Sequence, residues 1–194
     1  MSFFKKLFNI PVKEDEDIQK QEVDLSLDDL FVHNFVEKGG KFLYCSKESE
    51  VTDNLKNILK ENNWNQLSLF NNSLSAFFTN KDVEISERLN SDIPIFLSCE
   101  HLIADKGDIL FSSNQLKSFK LSEMPQNFIV YATTSQLVND MGQGLTGIKI
   151  HHKEKLPTNI SAIKNYSINK NDDNFLNYGN SNSKNLYLLL LEDL

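Results

Sequence analysis

The sequence predicts an α/β domain with a largely parallel sheet and some antiparallel pairs. Helical and extended patterns alternate along the first half of the chain, which is the order of a βαβ architecture. Three short runs are apolar: Ile93–Cys99 (IPIFLSC) reads as a strand whose start Pro94 places at an edge or strand entry, and Phe128–Ala132 (FIVYA) and Leu186–Leu191 (LYLLLL) read as buried strands. Hydrophobic residues make up 40% of the 194 residues and charged residues 24%, so a packed core is expected rather than disorder.

Each element has a local reason. In Met1–Ile10, Phe3, Phe4, Leu7 and Phe8 share one face of a short helix, with Lys5 and Lys6 on the other. This reads as a docking helix. Val12–Asp24 is charged and lacks aromatics, the pattern of a linker or solvated helix. The packed domain spans 25–194. Ser26 and Asp29 open a helix, with Asp in the usual Glu position of a capping box; Leu27, Leu30, Phe31 and Phe35 keep helical spacing until Gly39-Gly40. Lys41–Cys45 is a strand. Val51, Leu55, Ile58 and Leu59 predict a helix over Glu48–Asn63, and Gln66–Phe70 a second strand. Phe77-Phe78 suggests a weak third one. A polar loop is expected after Cys99, then strands at Asp108–Ser112 and Phe128–Ala132. A short helix is expected at Ser135–Met141, a strand at Ile148–Ile150, and a polar stretch from His151 to Lys184. Leu186–Leu191 closes the sheet as a buried strand.

Composition excludes several functions. Lys and Arg number 20 against 27 Asp and Glu, a net charge of −7 that opposes nucleic acid and anionic lipid. No run approaches the ~20 apolar residues of a membrane helix, and Met1–Ile10 is no secretory signal; a cytoplasmic location is expected. Cys45 and Cys99 are the only cysteines, too few for a disulfide framework or a Cys-rich metal site. Arg88 is the only arginine, so an anion site must rely on Lys, backbone N–H groups or Arg88 itself. No metal set and no cofactor fingerprint is present. Gly142-Gln143-Gly144 with Gly147 is expected after a helix and before a strand, the wrong context for dinucleotide binding. His33 falls in an amphipathic helix, and His151-His152, read as strand neighbours, face opposite sides.

Ligands of open α/β sheets bind past the carboxyl ends of the strands. That rule selects the loop after Cys45, the loop after Cys99, and the turn around Gly142. Ser46 could cap the next helix or, with the helix N-terminus, hold an anion. Cys99–Asp108 (CEHLIADKGD) is the densest polar cluster. As chemistry, Glu100 or Asp105 could serve as a general base and Lys106 could steady an oxyanion. As structure, Asp105-Lys106-Gly107-Asp108 is a turn, with Gly107 supplying a positive φ. The bend from Ala104 to Asp108 is expected to join two interior β segments and to expose its carboxylates beside a cleft.

Ile103–Phe111 (IADKGDILF) followed by Leu121–Val130 (LSEMPQNFIV) resembles the LUD domain of lactate-utilisation protein C. That family shows an Ala-[Glu/Asp]-Thr-Gly-[Thr/Ser] turn into an apolar strand, then a Leu-x-x-x-Pro stretch and a second apolar strand. Lys106 replaces the family's Thr, and Asp108 its hydroxyl residue. Downstream, where the family carries Gly-Pro-Ser, Ala-Asp-Ile-Glu and Gly-x-His-Gly-Pro, only Ser167, an acidic position at 171–174 and Gly179 correspond.

The resemblance implies a NagB/RpiA/CoA-transferase-like fold, a three-layer domain around a mostly parallel central sheet. It also implies a link to the oxidation of L-lactate to pyruvate, beside iron–sulfur partner proteins. The expected function is that of an accessory protein binding such a partner or a small anionic metabolite. Its expected contacts are Ser46, Glu100, Asp105, Lys106, Gly107 and Asp108, with no cofactor of its own. Two other readings stand beside this one. The first is an enzyme acting on a sugar phosphate or acyl-CoA through Asp105 or Glu100. The second is an interaction module whose Phe-rich N-terminal helix docks a partner or pairs two copies of the chain.

Overall fold

The computed structural model of the protein describes residues 25–78, 83–166 and 183–193. The expected N-terminal helix and linker, and residues 167–182 of the expected polar stretch His151–Lys184, lie outside these residues.

Helix α1 (Leu27–Glu37) starts as its sequence dictates: the Ser26 hydroxyl accepts the Asp29 N–H and donates to the Asp29 carboxylate at 2.7 Å. It buries Phe31 and Phe35. Strand β1 (Lys41–Cys45) leads to α2 (Glu48–Glu61), which buries Val51, Leu55, Ile58 and Leu59 along one face. There follow β2 (Gln66–Leu69), a 3₁₀ segment (Asn72–Phe77), β3 (Glu84–Ser86) and β4 (Ile95–Ser98). Next come β5 (His101–Ile103), β6 (Asp108–Ser112), the single turn α3 (Ser113–Leu116) and β7 (Asn127–Thr133). The described chain ends with β8 (Leu137–Val138), α4 (Met141–His151), β9 (Ile160–Ile163) and β10 (Asn185–Leu191).

Among the described residues, six strands form one fully parallel sheet in the order β1-β10-β7-β4-β2-β3. Helix α2 and the 3₁₀ segment cover one face, packing on Leu67, Phe96, Ile129 and Leu189. Helix α1 and a second sheet, β8-β5-β6-β9, cover the other face around Phe111, Phe128 and Leu188. Helix α4 closes the outer side of that second sheet, with Ile148 on Ile103 and Leu110. The domain is a three-layer α/β fold, and its small sheet is built into one flanking layer. Among the described residues no helix is long and apolar enough to cross a membrane.

Five local expectations are corrected. The antiparallel pairs do not join the central sheet; they occupy the second one. The polar loop after Cys99 is β5, whose three residues give too short an alternation to register. Phe77-Phe78 ends a 3₁₀ segment rather than forming a strand. Ser135–Met141 is not a helix: it holds a 3₁₀ turn and β8, and the helix begins at Met141 with the Asp140 carboxylate accepting the Gln143 N–H at 2.9 Å. Ile148–Ile150 therefore lies in α4, as do Gly142, Gly144 and Gly147. Glycines disfavour helices, which hid this one. Gly147 is needed for close approach: a Cβ there would lie 2.6 Å from His101 Nε2.

At the start of β10, Lys184 is 4% exposed, donates to the Met124 carbonyl at 3.0 Å, and sits 5.5 Å from the Phe128 ring centroid. Burial lowers its pKa to about 8. Between that value and the ordinary lysine pKa of about 10.4, the unfolded chain holds a proton that the folded chain has released. Stability therefore rises with pH across this window. Lys184→Met is expected to remove the rise and to be no less stable than the parent at pH 7. Urea midpoints from pH 7 to 10 check this, and an unchanged pH slope would refute it.

Candidate functional site

The bend at Ala104–Asp108 connects β5 to β6, which pair antiparallel with Ile103 opposite Asp108. Gly107 adopts φ +62°, as the turn requires, and a Cβ there would lie 2.4 Å from the Phe35 backbone nitrogen. The bend is thus pressed onto α1. Asn34 Nδ2 donates to the Ala104 carbonyl at 2.8 Å, and Tyr166 Oη donates to the Gly107 carbonyl at 2.6 Å. Lys38 Nζ donates to the Lys106 carbonyl and forms an ion pair with Asp108 at 2.8 Å.

The expected exposure holds for only part of the bend. Asp105 and Lys106 face solvent. Asp108 is 1% exposed and its charge is taken up by Lys38. The bend also sits at the amino end of β1, beside Lys38, whereas Ser46 follows the carboxyl end. Five strand residues, about 17 Å of extended chain, separate the two. The six sequence-selected residues are therefore not one cluster: Ser46 and Glu100 belong to the carboxyl edge, and Asp105–Asp108 to the opposite edge.

Ser46 is engaged locally. Its N–H donates to Glu50 Oε2 at 2.8 Å, and its hydroxyl lies 3.1–3.2 Å from both Glu50 oxygens. These bonds, the backbone one foremost, hold the Glu50 carboxyl below its usual pKa.

Glu100 follows β4 and is the hub of a network. Its Oε1 accepts from Ser112 Oγ at 2.5 Å and from Asn114 Nδ2 and Gln115 Nε2 at 3.1 Å each. Its Oε2 lies 3.3 Å from His152 Nε2. Burial raises its pKa, but the bonds from Ser112, Gln115, His152 and Asn114 outweigh burial and hold it below the usual carboxylate range. A carboxylate so stabilised is a weak base and a firm anchor. It ties β4 to the start of α3 and to the end of α4. Sequence reasoning missed these partners because they lie at 112, 114, 115 and 152, and His152 was read as a strand residue.

Two further features occupy the carboxyl edge. Asp193 accepts from Thr134 Oγ1 at 2.7 Å, Ser135 Oγ at 2.6 Å and Ser135 N–H at 2.9 Å, joining the ends of β10 and β7. These bonds, led by Ser135, keep its carboxyl far below its usual pKa. A hollow of about 440 Å³ opens between the first turn of α2 and the 3₁₀ segment, lined by Glu48, Ser49, Thr52, Ser73, Leu74, Ala76, Phe77 and Tyr131. Cys45 and Cys99 are both buried, and burial raises both thiols. Among the described residues, no three His, Cys, Asp or Glu side chains stand where they could hold a metal.

No protein-family model matches the chain, and no curated protein matches it. Among solved structures it is similar to a DUF162 family protein from Deinococcus radiodurans, with a TM-score of 0.61 and 13% sequence identity over 87% of this chain and 99% of that one. At that identity the likeness establishes the fold alone.

Two outcomes follow from this geometry. Gly107→Ala is expected to cost about 2 kcal/mol or more, because it combines a left-handed φ with a backbone collision; urea denaturation measures it. Glu100→Gln is expected to cost about 1.5–3 kcal/mol at pH 7, the range for hydrogen bonds to a charged group. The folded Glu100 pKa lies below its unfolded value of about 4.3, so its contribution is complete above that pH and fades as pH falls through the lower folded value. The gap between variant and parent should accordingly close on acidification, and a gap independent of pH would contradict the assignment.

Proposed function

We propose that this chain is an accessory LUD-like protein of organic-acid utilisation, with L-lactate as the first candidate. It binds an iron–sulfur partner subunit or a small anionic metabolite. The observation carrying this reading is the segment Ile103–Phe111: it folds as strand, bend and strand, and Leu121–Val130 follows as a short 3₁₀ turn, Pro125 and β7. That is the element order of the LUD resemblance. The likeness to a DUF162 protein supports it, since DUF162 is a LUD-domain-like family. Asp105 and Lys106, exposed on a bend fixed by Gly107 and Asp108, serve as partner contacts. Ser46 and Glu100, on the carboxyl edge, are engaged by their own hydrogen bonds, which leaves Lys106 on the bend as the contact for a small anion. The redox chemistry resides in the partner, because two buried thiols cannot hold a cluster. The setting is the cytoplasm.

Affinity purification of the full chain from its native host, grown on L-lactate, tests this. A cysteine-rich iron–sulfur protein is expected to co-purify, and the charge reversals Asp105→Lys and Lys106→Glu should reduce its yield about tenfold. Recovery of the chain alone, with unimpaired growth on lactate after deletion, would overturn the proposal. Turnover of a sugar phosphate or acyl-CoA that disappears in Asp105→Asn would replace it with the enzymatic reading.

A further inference from the structure

The hollow between α2 and the 3₁₀ segment has no part in the proposal above. It lies at the carboxyl ends of parallel strands, where ligands of open α/β sheets bind. Its volume of about 440 Å³ falls within the usual small-molecule range of about 300–1,000 Å³. We propose that it binds a small organic cation, a primary or quaternary amine, between the Glu48 carboxylate and the Tyr131 ring.

The lining decides the sign of the ligand. Glu48 is its one charged member, and among the described residues no Lys, Arg or His lines it. Ser49, Thr52 and Ser73 add hydroxyls suited to a polar head. Tyr131 and Phe77 pack with ring centroids 4.9 Å apart, and Leu74 beside them is buried. Together they offer an aromatic and aliphatic floor, and an aromatic face attracts cations.

The surroundings agree. Glu50, two residues on in the same first turn, and Asp193, across the edge, are satisfied chiefly by backbone N–H groups and hydroxyls rather than by cations. Their bonds are met but their negative charge remains. The N-terminus of α2 opposes this with about half a positive charge. Glu48 and Glu50 in its first turn outweigh that fraction, so an anion such as lactate is repelled from the hollow. Burial and the charges of Glu48 and Asp193 raise the Tyr131 pKa, so its phenol remains uncharged.

Calorimetric and NMR titrations of the full chain with choline, butylammonium and lactate at matched ionic strength test the proposal. Saturable binding of choline or butylammonium is expected, weakened at least about tenfold, or about 1.4 kcal/mol, in both Glu48→Gln and Tyr131→Leu. Tyr131→Phe keeps the ring and should keep most of the affinity, which separates lost binding from lost folding. No saturable cation binding, cation affinity unchanged in Glu48→Gln, or lactate binding to the parent chain as tightly as choline would each overturn it.

Discussion

Strand β10 sits between β1 and β7, and every residue from Leu186 to Leu191 is buried. Leu186, Leu188 and Leu190 enter the core shared with α1 and the second sheet, while Tyr187, Leu189 and Leu191 enter the core under α2. Like β4 and β7, β10 thus belongs to both cores, and the two halves of the molecule meet across it. Without β10, β1 has no neighbour in the sheet, and α1 loses the surface on which it seats the Ala104–Asp108 bend. Lys184 and Asp193 fix its two ends by hydrogen bonds to Met124 and to the Thr134-Ser135 segment. The register that aligns Ser46 and Glu100 on one edge follows from this arrangement.

The parts of this fold legible in the sequence are those whose signal is local and periodic. The face of α2, the Ser26 cap, the apolar runs of β4, β7 and β10, and the positive φ at Gly107 each rest on a few adjacent residues. Of the second sheet only β6 was legible as a strand. Its strands β5 and β8 have three and two residues, too few for a period of two to repeat. Helix α4 was misread because its glycines serve packing against His101, Ile103 and Leu110 rather than helix propensity. Tertiary need overrode local preference there. The site divides in the same way. The Asp105–Asp108 bend could be seen as a turn, but its attachment to α1 depends on Asn34 and Lys38, some seventy positions away. The Glu100 network depends on a residue fifty-two positions later.

The carboxyl edge satisfies its acids in an unusual way. Glu50, Glu100 and Asp193 are each held mainly by backbone N–H groups, hydroxyls, amides or an imidazole. Arg88 is the only arginine, so bidentate pairing is scarcely available to this chain. Such bonds fix a carboxylate in place and leave its charge uncancelled. The edge is therefore rigid and electronegative together. Across the sheet, Asp108 follows the opposite rule: it is buried and directly neutralised by Lys38.

The placement of β10 also governs the timing of folding during synthesis. Residues Asn185–Leu191 leave the ribosome after every other strand of the sheet, yet they fill the slot between its first strand and its longest interior neighbour. Until that moment β1 and β7 present open edges and bare leucine-facing surfaces, the kind of state that chaperones bind. The two hydrophobic halves can close only once β10 has emerged and entered that slot.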